Sequence, residues 1–401
     1  MAPRTTASSV SRWLTPTVLA ISLASLLSDA CYEMVIPLLP VLVTALGGGA
    51  FVLGVIEGVS DLISAAFKLA SGPVADTSTH RKAYAASGYL GVGIFMPLIA
   101  LAHSIMALGA LRSAAWIFRG FRGPIRDTLL VEGTDPAFVN RAFGFQRALD
   151  SAGAALGPAM GMVLVAFHAN VRTVIALSAI PGLWAGLMYL WVVEKPRAAR
   201  TARSMRSMFA DLPGPFRRFL VASGLFGFGN FSATLLVLIA MRALLHDHDA
   251  RVAVTLATAF YLAHNVILSV LTYPAGVLSE RFGSGRMLCA AFAFFGVAYV
   301  VLAFFSTSVV AVAAVFAAAA IGIAIVDPNE GTFATKLLAT ARRGSGYGAL
   351  AAVNGVGDFV SSAGIGALWQ WAGPLPAFGA AAVLCFAGAA VQATLPPTAA
   401  E

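Results

Sequence analysis

The chain has 401 residues, 59% hydrophobic and 11% charged, with a formal net charge of +8 and a mean hydropathy of +0.84. A soluble domain carries about 25% charged residues, so polar side chains are too few here to cover a water-exposed surface. The positive charge does not point to nucleic acid, because most basic residues lie between apolar runs of membrane-spanning length.

In chain order, the apolar runs predict membrane spans near 16–44, 51–74, 82–102, 105–127, 142–166, 172–193, 217–241, 252–274, 286–305, 308–330, 346–370 and 374–395. The first begins after Arg4 and Arg12, as a signal peptide would. Its apolar stretch runs on past Pro40, so we expect a retained helix. Within it, SLLSDACYEMVIPLLP (Ser25–Pro40) places Asp29 and Glu33 four residues apart, about 40° apart on one helical face. Pro37 removes the donor for the Glu33 carbonyl and Pro40 that for Ile36, weakening the helix beside the acids.

Further charges follow inside spans, where each costs about 2.5–3.5 kcal/mol unless partnered or hydrated. The second span carries Glu57, Asp61 and Lys68 on one face, and the fourth Arg112, then Arg119, Arg122 and Arg126 with Asp127. The fifth carries Arg147 and Asp150. The later spans are leaner: Tyr261 and His264 share a face, as do Asn354 and Asp358, and Asp327 and Glu330 lie near the end of the tenth. We therefore expect ion coupling mainly in the N-terminal half, centred on Asp29 and Glu33. Asp327 or Glu330 is a candidate clasp for Arg342 or Arg343. Phe226, Phe228, Phe231 and Tyr261 are candidate cavity aromatics. Cys31, Cys289 and Cys385 each fall in an apolar span, with no disulfide framework or metal spacing. No HExxH or GxSxG motif is present, so neither an enzyme nor a metal site is expected.

The loops alternate in charge. One set, with the N-terminal tail, holds most of the lysines and arginines, including Arg81, Lys82, Arg141, Arg217, Arg218, Arg281, Arg286 and Lys336. The other set holds only Arg172, Arg242 and Arg251. Positive loops stay inside, which predicts cytoplasmic termini in an inner membrane. The basic stretch 194–216 reads as a cytoplasmic linker between residues 1–193 and 217–401. The halves also match at a constant offset of 204: Gly72 falls on Gly276, Asp76 on Glu280, Pro124 on Pro328, Gly144 on Gly348 and Gly153 on Gly357. Two such six-helix halves are a transporter plan.

At these motifs the chain resembles the major facilitator superfamily over essentially its whole length. That family's loop between helices 2 and 3 carries Gly, three residues, Asp and a basic cluster, matched by Gly72, Asp76, Arg81 and Lys82 and again by Gly276, Glu280, Arg281, Gly283 and Arg286. RGFRG (Arg119–Gly123) resembles its fourth-helix arginine motif. Its fifth-helix antiporter motif is matched by Gly144, Gly153, Gly157, Pro158 and Gly161, with Met162 where an optional last Gly would stand. The resemblance implies an all-α integral membrane protein of two pseudo-symmetric six-helix bundles, and a gating role for Asp76. It implies alternating access, proton-coupled efflux of a small molecule, no cofactor beyond the proton, and a monomer in the lipid bilayer. The alternative is proton-coupled uptake of a metabolite, sugar or organic anion. The coupling and substrate candidates are Asp29, Glu33, Glu57, Asp61, Arg119, Arg122, Arg147, Asp150, Tyr261, His264, Asn354 and Asp358.

Overall fold

The computed structural model describes residues 14–135, 138–194, 212–338 and 343–395; the side chains of Asp76, Asn140, Glu280 and 343–345 lie outside that description. Its described residues form helices and no strands. Twelve helical segments run in alternating directions: α1 (Pro16–Ala45), α2 (Ala50–Thr77), α3 (Arg81–Leu101), α4 (Ile105–Glu132), α5 (Val139–Ala166), α6 (Val171–Trp191), α7 (Gly214–Leu244), α8 (Ala250–Phe282), α9 (Ser284–Phe305), α10 (Val309–Leu337), α11 (Arg343–Ala372) and α12 (Pro374–Ala393). They match the spans read from hydropathy. Ten are long and apolar enough to cross a membrane on composition alone. Neither α4 nor α11 is among them. The arginines of α4 lower its hydropathy, and two of them, Arg112 and Arg122, are buried between helices with carboxylate partners. The chain is a multi-pass membrane protein.

The first six helices pack on one another, and so do the last six. The halves meet chiefly where α2 lies along α11 and α5 lies on α8. The first helix of each half is interrupted. In α1, Pro37 sits in a 3₁₀ turn, Ile36–Leu38. In α7, helix stops at Gly229 and restarts at Ala233, with the Ser232 hydroxyl capping the new segment. Broken helices expose backbone polar groups, which is tolerable in a membrane only where protein or water satisfies them. Here Ser361 donates to the Asn230 carbonyl at 3.0 Å, and the Ser232 amide donates to Ser362 Oγ at 3.1 Å.

The basic cluster after α2 ties one half together. Arg81, 1% exposed, donates to Glu132 at the end of α4 (2.6 Å) and to Glu194 beyond α6 (3.3 Å). The Arg81 backbone amide also reaches Glu194, at 2.8 Å, and Lys82 Nζ bonds the Leu190 carbonyl at 3.0 Å. In the second copy of the motif, Arg281 and Arg286 are exposed. Gly283 holds φ +85°, a turn conformation between α8 and α9 that favours glycine. The proposed gating carboxylates Asp76 and Glu280, and the Arg342 and Arg343 clasp, lie outside the described side chains. So does 195–211 of the linker.

Replacing Arg81 with alanine leaves two largely buried carboxylates without their shared guanidinium. We expect a loss of about 3 kcal/mol, read as a lower melting temperature in detergent. Arg281→Ala, exposed in the second copy, is expected to melt like the parent.

Candidate functional site

Charges enter the bundle in partnered sets. Arg112 forms two 2.9 Å bonds with the carboxylate of Glu57, and its guanidinium lies 3.1 Å over the ring of Trp116. Arg122 pairs with Asp29 at 3.6 Å, donates to Ser28 and lies 4.0 Å from the Tyr89 ring. Arg126 binds Asp127 at 2.9 Å and approaches Asp150 at 3.8 Å, while Gln146 donates to Asp150 at 2.6 Å. In the other half, Glu330 accepts from Asn354 at 2.8 Å. The arginine pairs satisfy the demand that buried charge be compensated, whereas the partner of Glu330 is a neutral amide. They place Arg122 and Asp150 of the sequence candidates in intra-half networks, whereas Glu57 also accepts from Ser232 of the opposite half at 3.4 Å.

Glu33 is different. No described cation forms an ion pair with it. Its Oε2 accepts from Tyr261 Oη at 2.7 Å and from Asn265 Nδ2 at 3.2 Å, both on α8 in the opposite half. Asn265 also donates to the Ala154 carbonyl at 2.8 Å. That carbonyl is the one deprived of its helical donor by Pro158. A single amide thus bridges α8, the proline-freed oxygen of α5 and the acid of α1. The glycines of α5 face α1 within the same half. A Cβ on Gly153 would meet the backbone of Leu26, one on Gly157 that of Ala30 and Met34, and one on Gly161 that of Met34. They let α5 press on α1 while Asn265 fills the gap from the other side.

Beside this clasp lies a central cavity of about 430 Å³. Asp61 and Arg119 reach it from one half, His264 and Asp358 from the other, and Phe231, Phe295 and Tyr299 contribute an apolar wall. Trp116 donates to Asp61 at 2.7 Å, and Arg119 reaches the Tyr32 hydroxyl at 3.5 Å. Phe226 instead stacks on Phe292, with centroids 4.2 Å apart. The halves are closed together at the end opposite the basic loops. There the Phe51 amide donates to Gln370 at 3.1 Å, and the Phe51 and Trp371 rings lie 4.8 Å apart. Towards the basic loops, Lys68, Arg147 and Asp327 are exposed.

The model of the Major Facilitator Superfamily matches residues 21–260 and 219–401. The chain belongs to this superfamily. It is 27% identical over 360 residues to an uncharacterized MFS-type transporter of Methanocaldococcus jannaschii, covering 90% of each chain. It is also 27% identical over 377 residues to an uncharacterized protein of Mycobacterium tuberculosis, covering 90% of this chain and 87% of the relative. The fold is shared with the nucleoside transporter NupG, at TM-score 0.77 and 16% identity, over 94% of this chain and 99% of that one. It is shared also with a bacterial homologue of the lysosomal transporter Spinster in an inward-facing, occupied conformation, at TM-score 0.73 and 15% identity, over 94% and 95%.

As a superfamily member the chain is a transporter rather than an enzyme, and its fifth-helix motif has a partner that the motif does not name. Asn265 and Trp116 escaped the sequence reading because both are uncharged. A signal existed for each: Asn265 stands one helical turn beyond Tyr261, and Trp116 one turn beyond Arg112.

A Cβ on Gly157 would lie 2.6 Å from the Ala30 carbonyl oxygen and 2.8 Å from the Met34 nitrogen, whereas nothing lies within 4 Å of one on Gly144. Gly157→Ala is therefore expected to cost about 1–3 kcal/mol, and Gly144→Ala close to none, in paired melting curves.

Proposed function

We propose that the chain is a secondary transporter working by alternating access, and that it exports a small molecule in exchange for protons. The observation that carries this reading is the clasp from Glu33 to Tyr261 and Asn265, and through Asn265 to Ala154. An acid without a cationic partner holds the two halves together at mid-membrane, beside the cavity. Bonds to an ionised acceptor are roughly twice as strong as neutral ones, so a proton arriving on Glu33 weakens both. The clasp thereby couples the proton on Glu33 to the contact between the halves. The positive-inside pattern supports cytoplasmic termini in the inner membrane and identifies the closed end as the outer one. The conformation then faces the cytoplasm, where the proton leaves and substrate enters.

Asp29 sits one turn below Glu33 with Arg122, and Arg119 lies between the clasp and the cavity over the rings of Tyr32 and Trp116, 4.9 and 5.0 Å away. A proton on Asp29 would free Arg122, so Asp29 is the second candidate carrier. Lys68, Arg147 and Asp327 face the cytoplasmic opening. The resident cofactor is none, the coupling ion the proton, and the working unit a monomer. The export direction draws on the resemblance of the fifth helix to the antiporter motif.

In proteoliposomes with a pH gradient, Glu33→Gln is expected to abolish substrate-stimulated proton flux, and Asp29→Asn to reduce it at least ten-fold. Asn265→Ala removes two bonds worth about 1 kcal/mol together in a membrane, a roughly five-fold shift of the conformational equilibrium. It is expected to raise labelling of outer cavity positions while keeping residual flux. Undiminished flux in both acid variants contradicts the coupling scheme, and substrate accumulation inside energised cells contradicts export.

A further inference from the structure

Two carboxylates and one guanidinium are the ionised side chains that line the central cavity. Asp61 enters it from α2 and Asp358 from α11, one carboxylate from each half, near enough for Asp358 to feel the charge of Asp61. No described cation forms an ion pair with either. Asp61 accepts one bond, from the Trp116 indole. His264 supplies a third acceptor. It is 7% exposed, and its Nδ1 lies 3.0 Å from the Phe316 carbonyl, an atom that only accepts. Nδ1 therefore carries a proton, and in the neutral imidazole Nε2 keeps a lone pair with no described partner. Against these stand one cation, the Arg119 guanidinium, whose charge also faces Asp29 and which donates to Tyr32 at 3.5 Å, and the neutral side chains of Asn230, Ser232 and Ser362. Half-buried carboxylates without an ion-pair partner carry a desolvation penalty, so the cavity favours a ligand that brings donors and positive charge.

We propose that the cavity binds a small organic amine, its ammonium seated between Asp61 and Asp358 with one N–H directed to His264 Nε2. The body of the amine lies against Phe231, Phe295 and Tyr299. This assignment rests on the reading of the chain as an alternating-access transporter, and it names the substrate class of that transporter's site. The ammonium bridges carboxylates from opposite halves. Occupancy therefore favours the state in which the halves close on it, and an empty, ionised site pushes them apart. An anionic substrate would meet two carboxylates and a lone pair with one shared arginine to offset them. The volume suits a small molecule rather than a peptide chain.

The test uses the full chain in lipid nanodiscs and isothermal titration calorimetry with three probes of one shape: phenethylamine, 2-phenylethanol and phenylacetate. Phenethylamine is expected to bind at least ten-fold more tightly than the alcohol, and phenylacetate more weakly than either. Asp358→Asn and Asp61→Asn are each expected to weaken the amine at least ten-fold and leave the alcohol unchanged, whereas Asp358→Glu keeps most of the amine affinity. The proposal is overturned if the amine binds no better than the alcohol, undetectable binding of both included. Tightest binding by phenylacetate, or a folded Asp358→Asn that binds the amine like the parent, overturns it too. If the asparagine variants do not fold, the ranking of the three probes on the parent protein decides alone. The binding needs no proton gradient, so its failure leaves the proton-driven flux of the clasp intact. Loss of coupling with amine binding preserved instead sinks only the antiport reading.

Discussion

The architecture depends on one constraint: a charge taken out of water must find a partner inside the bundle. Helix α4 carries four arginines and meets this constraint by distributing three of them to carboxylates, while Arg119 faces the cavity. Arg112 goes to Glu57 of α2, Arg122 to Asp29 of α1, and Arg126 to Asp127 and Asp150. Aromatic faces cover the guanidinium planes of Arg112 and Arg122. These pairs fix α1, α2, α4 and α5 relative to one another. They also define what is left over: Glu33, Asp61 and Asp358 where the halves meet, and Asp327 and Glu330 on α10, acids for which the described residues show no ion pair. Function is assigned to the three where the halves meet. A paired carboxylate holds a helix, and an unpaired one is free to respond to a proton or a ligand.

The interrupted helices place these three acids where the halves meet. Pro37 in α1 and the Asn230–Ser232 break in α7 occupy the first helix of each half, and the α7 break lines the cavity. Pro158 in α5 frees one more carbonyl, and Asn265 from the opposite half takes it. Proline in these helices does more than bend them. It creates acceptors that a side chain across the interface can hold or release, and the bond is lost when the halves part. The glycines beside Pro158 keep α5 seated on α1, so a displacement of α5 carries Glu33 with it.

Much of this was legible in the sequence. Hydropathy gave twelve spans because a bilayer imposes a length on every helix that crosses it, and even the arginine-rich α4 kept enough apolar face to be found. The acids of α1, the freed carbonyl at Ala154 and the family motifs were readable as residue patterns. The pairing was not. Whether Arg119 or Arg122 meets Asp29 depends on the rotation of α4, which a single sequence does not encode locally. The neutral groups that complete the network, Asn265, Trp116, Tyr32 and Gln146, carry no charge to draw notice, although Tyr32 and Gln146 each stand next to a residue that does. The asymmetry between the two copies of the loop motif was also hidden. Arg81 is buried and doubly bonded, whereas Arg281 is exposed, because only the first copy has Glu132 and Glu194 to receive it.

The central claim is that the proton state of Glu33 sets whether the halves are closed at the end away from the basic loops. The most direct measurement is a pulsed electron spin distance between labels at Thr44→Cys and Leu245→Cys, exposed positions at that end of α1 and α7. The three native cysteines would be replaced by alanine and the protein held in nanodiscs. The account predicts a single short distance at alkaline pH, a growing longer population as the pH falls, and a long distance at every pH once Glu33 is glutamine. A distance that ignores pH in the parent, or that shifts with pH equally in the glutamine variant, would contradict it.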